Sequence, residues 1–123
     1  MSQAFVWFHN GSTKPSDSVE FYRSLLGWKR TDGPPGMTMF AGDQGPFAAV
    51  GAEEGVVGWI PFAQVDDVDA ATRKATTIGA TVIKEKARGP AGEFSIIRDP
   101  GGAAIALWRK ALWCAKARAI AHG

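Results

Sequence analysis

Residues 65–79 read Val65-Asp66-Asp67-Val68-Asp69-Ala70-Ala71-Thr72-Arg73-Lys74-Ala75-Thr76-Thr77-Ile78-Gly79, and they set how the remainder of the chain divides. Val68, Ala71, Ala75 and Ile78 recur with the three-and-four spacing of one helical face. Asp66, Asp67 and Asp69 supply an N-cap and negative charge for the first turn, and Gly79 stands where the backbone leaves the helix. The segment before this helix, Trp59 to Val65, is strand-like. After it come three further strand-like pieces, Thr81–Lys86, Glu93–Arg98 and Ala103–Trp108. They are separated by Gly89-Pro90-Ala91-Gly92 and Asp99-Pro100-Gly101-Gly102, both turn-forming runs. The order is β-α-β-β-β.

The same order occurs earlier. Phe5 to Asn10 is strand-like, and Pro15 opens a helix in which Val19, Phe21, Tyr22, Leu25 and Leu26 share a period before Gly27. Strands follow at Trp28–Thr31, Met37–Ala41 and Phe47–Gly51, divided by Gly33-Pro34-Pro35-Gly36 and Gly42-Asp43-Gln44-Gly45. Glu53-Glu54-Gly55 connects the halves. The sequence therefore predicts an α+β fold of two β-α-β-β-β modules forming a cupped mixed sheet. The modules span about 4–52 and 57–109 within one domain, 1–109, and a helical extension occupies 110–123.

Composition is consistent with this division. The chain has 123 residues, 46% hydrophobic and 21% charged, which suits one globular domain and excludes a disordered or fibrous chain. No run approaches the roughly 18 apolar residues of a membrane span. The start, Met1-Ser2-Gln3-Ala4-Phe5-Val6-Trp7, lacks the features of a signal peptide. The single Cys114 suits a reducing compartment, so a cytoplasmic protein is expected. Net charge is +2, with 10 basic and 12 acidic groups up to Asp99 and only Arg109, Lys110, Lys116 and Arg118 beyond it. Neither nucleic acid nor membrane is an expected partner on that balance. The basic residues of 110–121 fit a short amphipathic helix docking on its own sheet or on a partner subunit.

Five tryptophans and seven phenylalanines exceed what so small a core needs. Strand alternation sorts them. Trp7 and His9 share one face of the first strand, with Val6 and Phe8 on the other. In the last strand Ile105 and Leu107 oppose Ala104, Ala106 and Trp108. Trp7, Phe47, Phe62, Phe94 and Trp108 then fall on the face away from the helices, together with Ile60, Ile96 and Ala106. An apolar face carrying few polar groups is the usual character of a small-molecule site. The same aromatics would equally serve as core or as a dimer interface, and both alternatives stand at this point. His9 is the polar group of the set, able to hydrogen-bond a ligand or to act as a base. Glu53, Glu54 and Glu93 are weaker acid–base candidates in solvated settings. No Gly-x-Ser-x-Gly elbow or phosphate loop is present, and Cys114 has no histidine partner nearby in sequence.

The repeated plan, with Phe21-Tyr22, Leu26-Gly27-Trp28, Val65 to Ala71 and Asp99-Pro100-Gly101-Gly102 in order, resembles the vicinal oxygen chelate superfamily. That superfamily comprises glyoxalases, bleomycin-resistance proteins and extradiol dioxygenases, and the likeness covers residues 4–109. Phe5-Val6-Trp7 and Gly58-Trp59-Ile60 look most like its small bacterial glyoxalase-like domains. The resemblance implies metal ligands on the first and last strands of each half. Here those positions fall at Trp7, one of Ala49 to Gly51, Ile60 and Ala106, with His9 replacing Trp7 if the register slips by two. A divalent site needs about three N, O or S donors, so no metal and no cofactor is expected. The resulting expectation is a homodimeric, metal-independent protein that binds a small, partly aromatic molecule. Its alternatives are a glyoxalase-like lyase or isomerase using His9, and a ligand-free interaction module.

Overall fold

The computed structural model describes residues 4–89 and 92–111. The helix expected beyond Lys110, with Trp113 and Cys114, lies outside the described residues, as does His122; Lys110 itself closes the last strand. Among the described residues no helix is long and apolar enough to cross a membrane. The chain forms two compact units, Phe5–Pro61 and the part from Phe62 onward joined by Ala4.

The first unit contains β1 (Phe5–Ser12), α1 (Pro15–Leu26), β2 (Lys29–Asp32), β3 (Met37–Gly42), β4 (Gly45–Ala52) and the start of β5 (Gly58–Gln64). Its strands run in the order β2-β3-β4-β1, with β1 parallel to β4 and the other pairs antiparallel. Helix α1 begins at Pro15, where the missing N–H costs nothing. Ser12 Oγ accepts the Lys14 N–H at 3.0 Å and lies 2.6 Å from Ser18 Oγ, tying strand end to helix start. The helix ends at Gly27, whose φ of 71° is left-handed and whose N–H donates to the Arg23 carbonyl.

Of the apolar residues expected to form one stripe on α1, Val19 is buried and Tyr22 half-buried, whereas Phe21 and Leu25 are 57% and 63% exposed. The reason is what Tyr22 does. Its ring stacks on Trp28 at 5.6 Å, meets Phe40 and Trp59 edge-on, and its hydroxyl accepts the Trp59 indole N–H at 3.0 Å. These rings close over the core of Val19, Phe40, Ala48 and Val50, so α1 is anchored by one aromatic pin. The contact to Tyr22 also explains why the start of β5 groups with the first unit.

The second unit holds the remainder of β5, α2 (Val68–Thr77), β6 (Thr81–Arg88), β7 (Gly92–Arg98) and β8 (Ala104–Lys110). The order is β5-β8-β7-β6, with β5 parallel to β8 and the rest antiparallel. Asp67 caps α2 as expected, its carboxylate accepting the Ala70 N–H at 3.0 Å. That bond holds the carboxyl below the usual carboxylate range. Val68 and Thr72 face the sheet, where Thr72 Oγ1 donates to the Val68 carbonyl and lies 2.7 Å from the buried Ser95 Oγ. Ile78, read as the last member of the buried stripe, is 68% exposed because the helix ends at Thr77 and the chain turns away at the cap.

Candidate functional site

Strand register fixes which side chains leave each sheet on the side away from its helix. In the first unit, Ala48 and Val50 belong to the α1-side core, and they stand opposite Phe8 and Asn10 of β1. His9 pairs with Ala49, so His9 and Trp7 lie on the other face, as alternation predicts. Both are half-buried, and Ala49 is fully buried. Met39 opposes Ala49 and Met37 opposes Gly51, which adds two thioether side chains to this face. Sequence reasoning missed them, although the alternation of β3 around the core residue Phe40 was the signal available.

His9 lies beside a glycine. A Cβ on Gly51 would meet His9 Cε1 at 3.4 Å and Nε2 at 3.7 Å, so the imidazole lies along β4 over a residue with no side chain.

Phe47 is not on this face. It packs against the α1-side core and meets Trp28 edge-on at 4.9 Å. The cause is a bulge: Phe40 pairs with Ala48 but Ala41 with Pro46, leaving Phe47 as the extra residue and turning it toward the helix side. Simple period-two counting fails at such a residue.

In the second unit, Ser95 touches Thr72 of α2, and Leu107 and Ile105 stand on the Ser95 side by register. Phe94, Ile96, Ala106 and Trp108 therefore lie on the face opposite α2. Phe62 pairs with Ala106 and joins them. Its ring sits 5.5 Å from that of Phe94, and Trp108 stands opposite Phe94 across the β7–β8 pair. Gly92 makes room for the indole, since a Cβ there would come within 2.8 Å of Trp108 Nε1. Phe62, Phe94 and Trp108 are half-buried, while Ile96 and Ala106 are buried. Ile60, two residues before Phe62 on β5, is 3% exposed and contributes bulk rather than a contact surface. Lys84, not singled out from the sequence, holds its ammonium 5.3 Å from the centre of the Phe94 ring.

The structure thus gathers five of the expected site residues (Phe62, Phe94, Ile96, Ala106 and Trp108) on one face of the second unit. It sets Trp7 and His9 on the corresponding face of the first. Open depressions of about 970 and 350 Å³ flank the helices. Their linings are largely charged and polar, including Arg23, Lys29 and Arg30 beside α1 and Asp69, Arg73 and Lys86 beside α2. These are solvated helix margins, without the apolar character of a small-molecule site.

No metal centre can be assembled from the positions where the family resemblance puts ligands. Trp7, Ala49 to Gly51, Ile60 and Ala106 offer no side-chain donor to a divalent ion, and His9 alone is too few. Among the described residues, no three His, Cys, Asp or Glu side chains group together as such a site requires.

Comparison with known proteins agrees with this architecture. Residues 7–108 match the family described as the glyoxalase-like domain. The anthracycline biosynthesis protein DnrV of Streptomyces peucetius is 32% identical over 85% of this chain and 46% of its own length. The putative glyoxylase CFP32 of Mycobacterium tuberculosis is 37% identical over 84% of this chain and 44% of its own. The chain spans about half the length of the curated relatives it matches. Among solved structures, a glyoxalase/bleomycin resistance protein/dioxygenase superfamily member from Vibrio splendidus aligns with a TM-score of 0.61 at 12% identity, covering 89% of this chain and all of the other. Streptomyces coelicolor methylmalonyl-CoA epimerase aligns with a TM-score of 0.60 at 18% identity, covering 90% and 97%. At these identities the structures speak for the fold alone.

Proposed function

The chain belongs to the glyoxalase-like domain family, and from that premise we propose that it binds a small, partly aromatic molecule without a metal ion. The observation that carries this reading is the aromatic set on the sheet face opposite α2. There Phe62 and Phe94 meet at 5.5 Å, and Trp108 stands across from Phe94 beside the small Ala106. A planar ligand laid on such rings gains about 0.5–1.5 kcal/mol per ring pair beyond simple burial. A relative named for anthracycline biosynthesis supports a planar, polyketide-like ligand class. His9 lies on the face of the first unit away from α1, and in this reading it transfers no proton.

A second reading rests on His9. Its ring lies beside Gly51, and a relative is named a putative glyoxylase, so a lyase or isomerase using His9 as base is the competing proposal. Titrating the protein with a planar polyketide-like compound, in wild type and in Trp108→Ala and His9→Gln variants, separates the two. We also propose a homodimer. Support comes from the apolar residues Phe5, Phe8, Phe21 and Leu25 left exposed on the first unit, and from relatives about twice as long. A cytoplasmic setting completes the reading, supported by the lone Cys114.

A further inference from the structure

We infer that the aromatic molecule held by the second unit carries ring carbonyls, as a quinone or an aryl ketone does, and that the Trp108 indole N–H and the Gln64 carboxamide recognise them. This rests on the aromatic-ligand reading above and adds the ligand's functional groups to it.

Strand register puts both groups on the face opposite α2. Gln64 pairs with Trp108, and Trp108 pairs with Phe94, so the three form one row across β5, β8 and β7. Gln64 also stands two residues beyond Phe62 on β5, which gives it the same facing. Trp108 is half-buried, and its nitrogen edge lies beside Gly92, where a Cβ would meet Nε1 at 2.8 Å. Among the described residues the indole N–H has no hydrogen-bond partner, and no fully buried side-chain nitrogen or oxygen goes unpaired. The N–H therefore reaches solvent. Gln64 is exposed, and its carboxamide is likewise without a partner among the described residues.

Two cations share this face but are engaged within the protein. Lys84 is carried to it by the irregularity in β6 between Val82 and Lys84, and its ammonium lies over the Phe94 ring. Arg98 donates to the Gly102 carbonyl at 3.0 Å. The recognition proposed here uses the neutral pair instead. A flat molecule laid on Phe62 and Phe94 extends over Trp108, the cross-strand neighbour of Phe94, and takes water from the indole N–H. A hydrocarbon edge at that point leaves the donor with neither water nor partner, which opposes binding. A carbonyl oxygen accepts the N–H and restores what water supplied. Indole is a donor only, so it selects an acceptor; the Gln64 carboxamide donates to a second carbonyl.

The test uses the full chain and two probes of like shape and equal charge, anthraquinone-2-sulfonate and anthracene-2-sulfonate, titrated by calorimetry. Because both are sulfonates, nearby cations act on them alike and the ratio of affinities reads the carbonyls. We expect wild type to bind the quinone about tenfold more tightly. The preference should shrink in Gln64→Leu and fall close to one in the double variant Trp108→Phe with Gln64→Leu, which keeps a ring on β8 but no N–H. The Trp108 indole proton, assigned in the NMR spectrum by its loss in Trp108→Phe, should move downfield with the quinone and not with the anthracene. Equal affinities in wild type would overturn the carbonyl inference and leave the aromatic site standing. A preference that survives in the double variant overturns the roles of Trp108 and Gln64. Failure of both probes to bind overturns this inference together with the reading beneath it. If the variants do not fold, the wild-type indole shift decides the matter, and a bound quinone that leaves every indole proton in place overturns the inference.

Discussion

The imidazole of His9 lies over Gly51, with its Cε1 at 3.4 Å and its Nε2 at 3.7 Å from where a Cβ would stand. The likeness to the vicinal oxygen chelate superfamily puts a metal ligand on this part of β4. In this chain Ala49, Val50 and Gly51 carry no donor, and a Cβ at Gly51 would only touch the ring from β1. β4 therefore offers His9 no second ligand. We therefore expect no stoichiometric nickel, zinc or iron after native purification. Elemental analysis that finds about one tightly held ion per chain contradicts this. Recovery of a glyoxalase-type activity on adding metal after chelation contradicts it equally.

Phe47 and Phe94 should separate stability from binding. Phe47 is wedged against Trp28 in the α1-side core, whereas Phe94 sits beside Phe62 on the opposite kind of face. Phe47→Ala should lower unfolding free energy by about 2 kcal/mol, less than a fully buried phenylalanine loses. Its affinity for a planar aromatic ligand should stay within about twofold of wild type. Phe94→Ala should weaken binding about tenfold or more. Urea denaturation paired with ligand titration checks both.

Asp67 gives a pH signature. Its folded carboxyl titrates below the usual carboxylate range, chiefly because it accepts the Ala70 N–H. A depressed carboxylate contributes stability that is complete above the unfolded value and is lost as pH falls through the folded one. Asp67→Asn keeps a capping acceptor but has no charge to titrate. The melting-temperature gap between wild type and Asp67→Asn should therefore be constant from pH 5 to 7 and shrink below about pH 3.8. A gap that widens on acidification contradicts the assignment.

Much of this architecture was legible because it rests on local rules. The Asp67 cap, the left-handed Gly27 and the alternation of β1 and β8 depend on neighbours in sequence, and each stands where the residues place it. Phe47 and Lys84 were misplaced or overlooked for one reason. A bulge reverses the facing of every residue beyond it, and its position depends on the partner strand rather than on the bulged one. The α1 stripe was overcounted for a different reason. Helical period marks Phe21 and Leu25 as apolar neighbours of Tyr22, but the ring cluster of Trp28, Phe40 and Trp59 takes up Tyr22 alone.

Phe21 and Leu25 then need a cover, and a second copy of the chain is the one we expect. Light scattering at micromolar concentration should give a dimer mass. Phe21→Glu combined with Leu25→Glu should shift it to monomer without lowering the helical signal. A sharp monomer mass for wild type contradicts the expectation.

The central claim, an aromatic ligand held by stacking rather than turned over by His9, is tested most directly by one fluorescence titration. A planar polyketide-like compound is added to wild type, Trp108→Ala and His9→Gln. The account predicts micromolar binding by wild type, about −8 kcal/mol. Trp108→Ala should weaken it more than about tenfold, and His9→Gln only slightly. Loss of a measurable reaction in His9→Gln, with binding intact in Trp108→Ala, would contradict the account and leave the enzyme reading in its place.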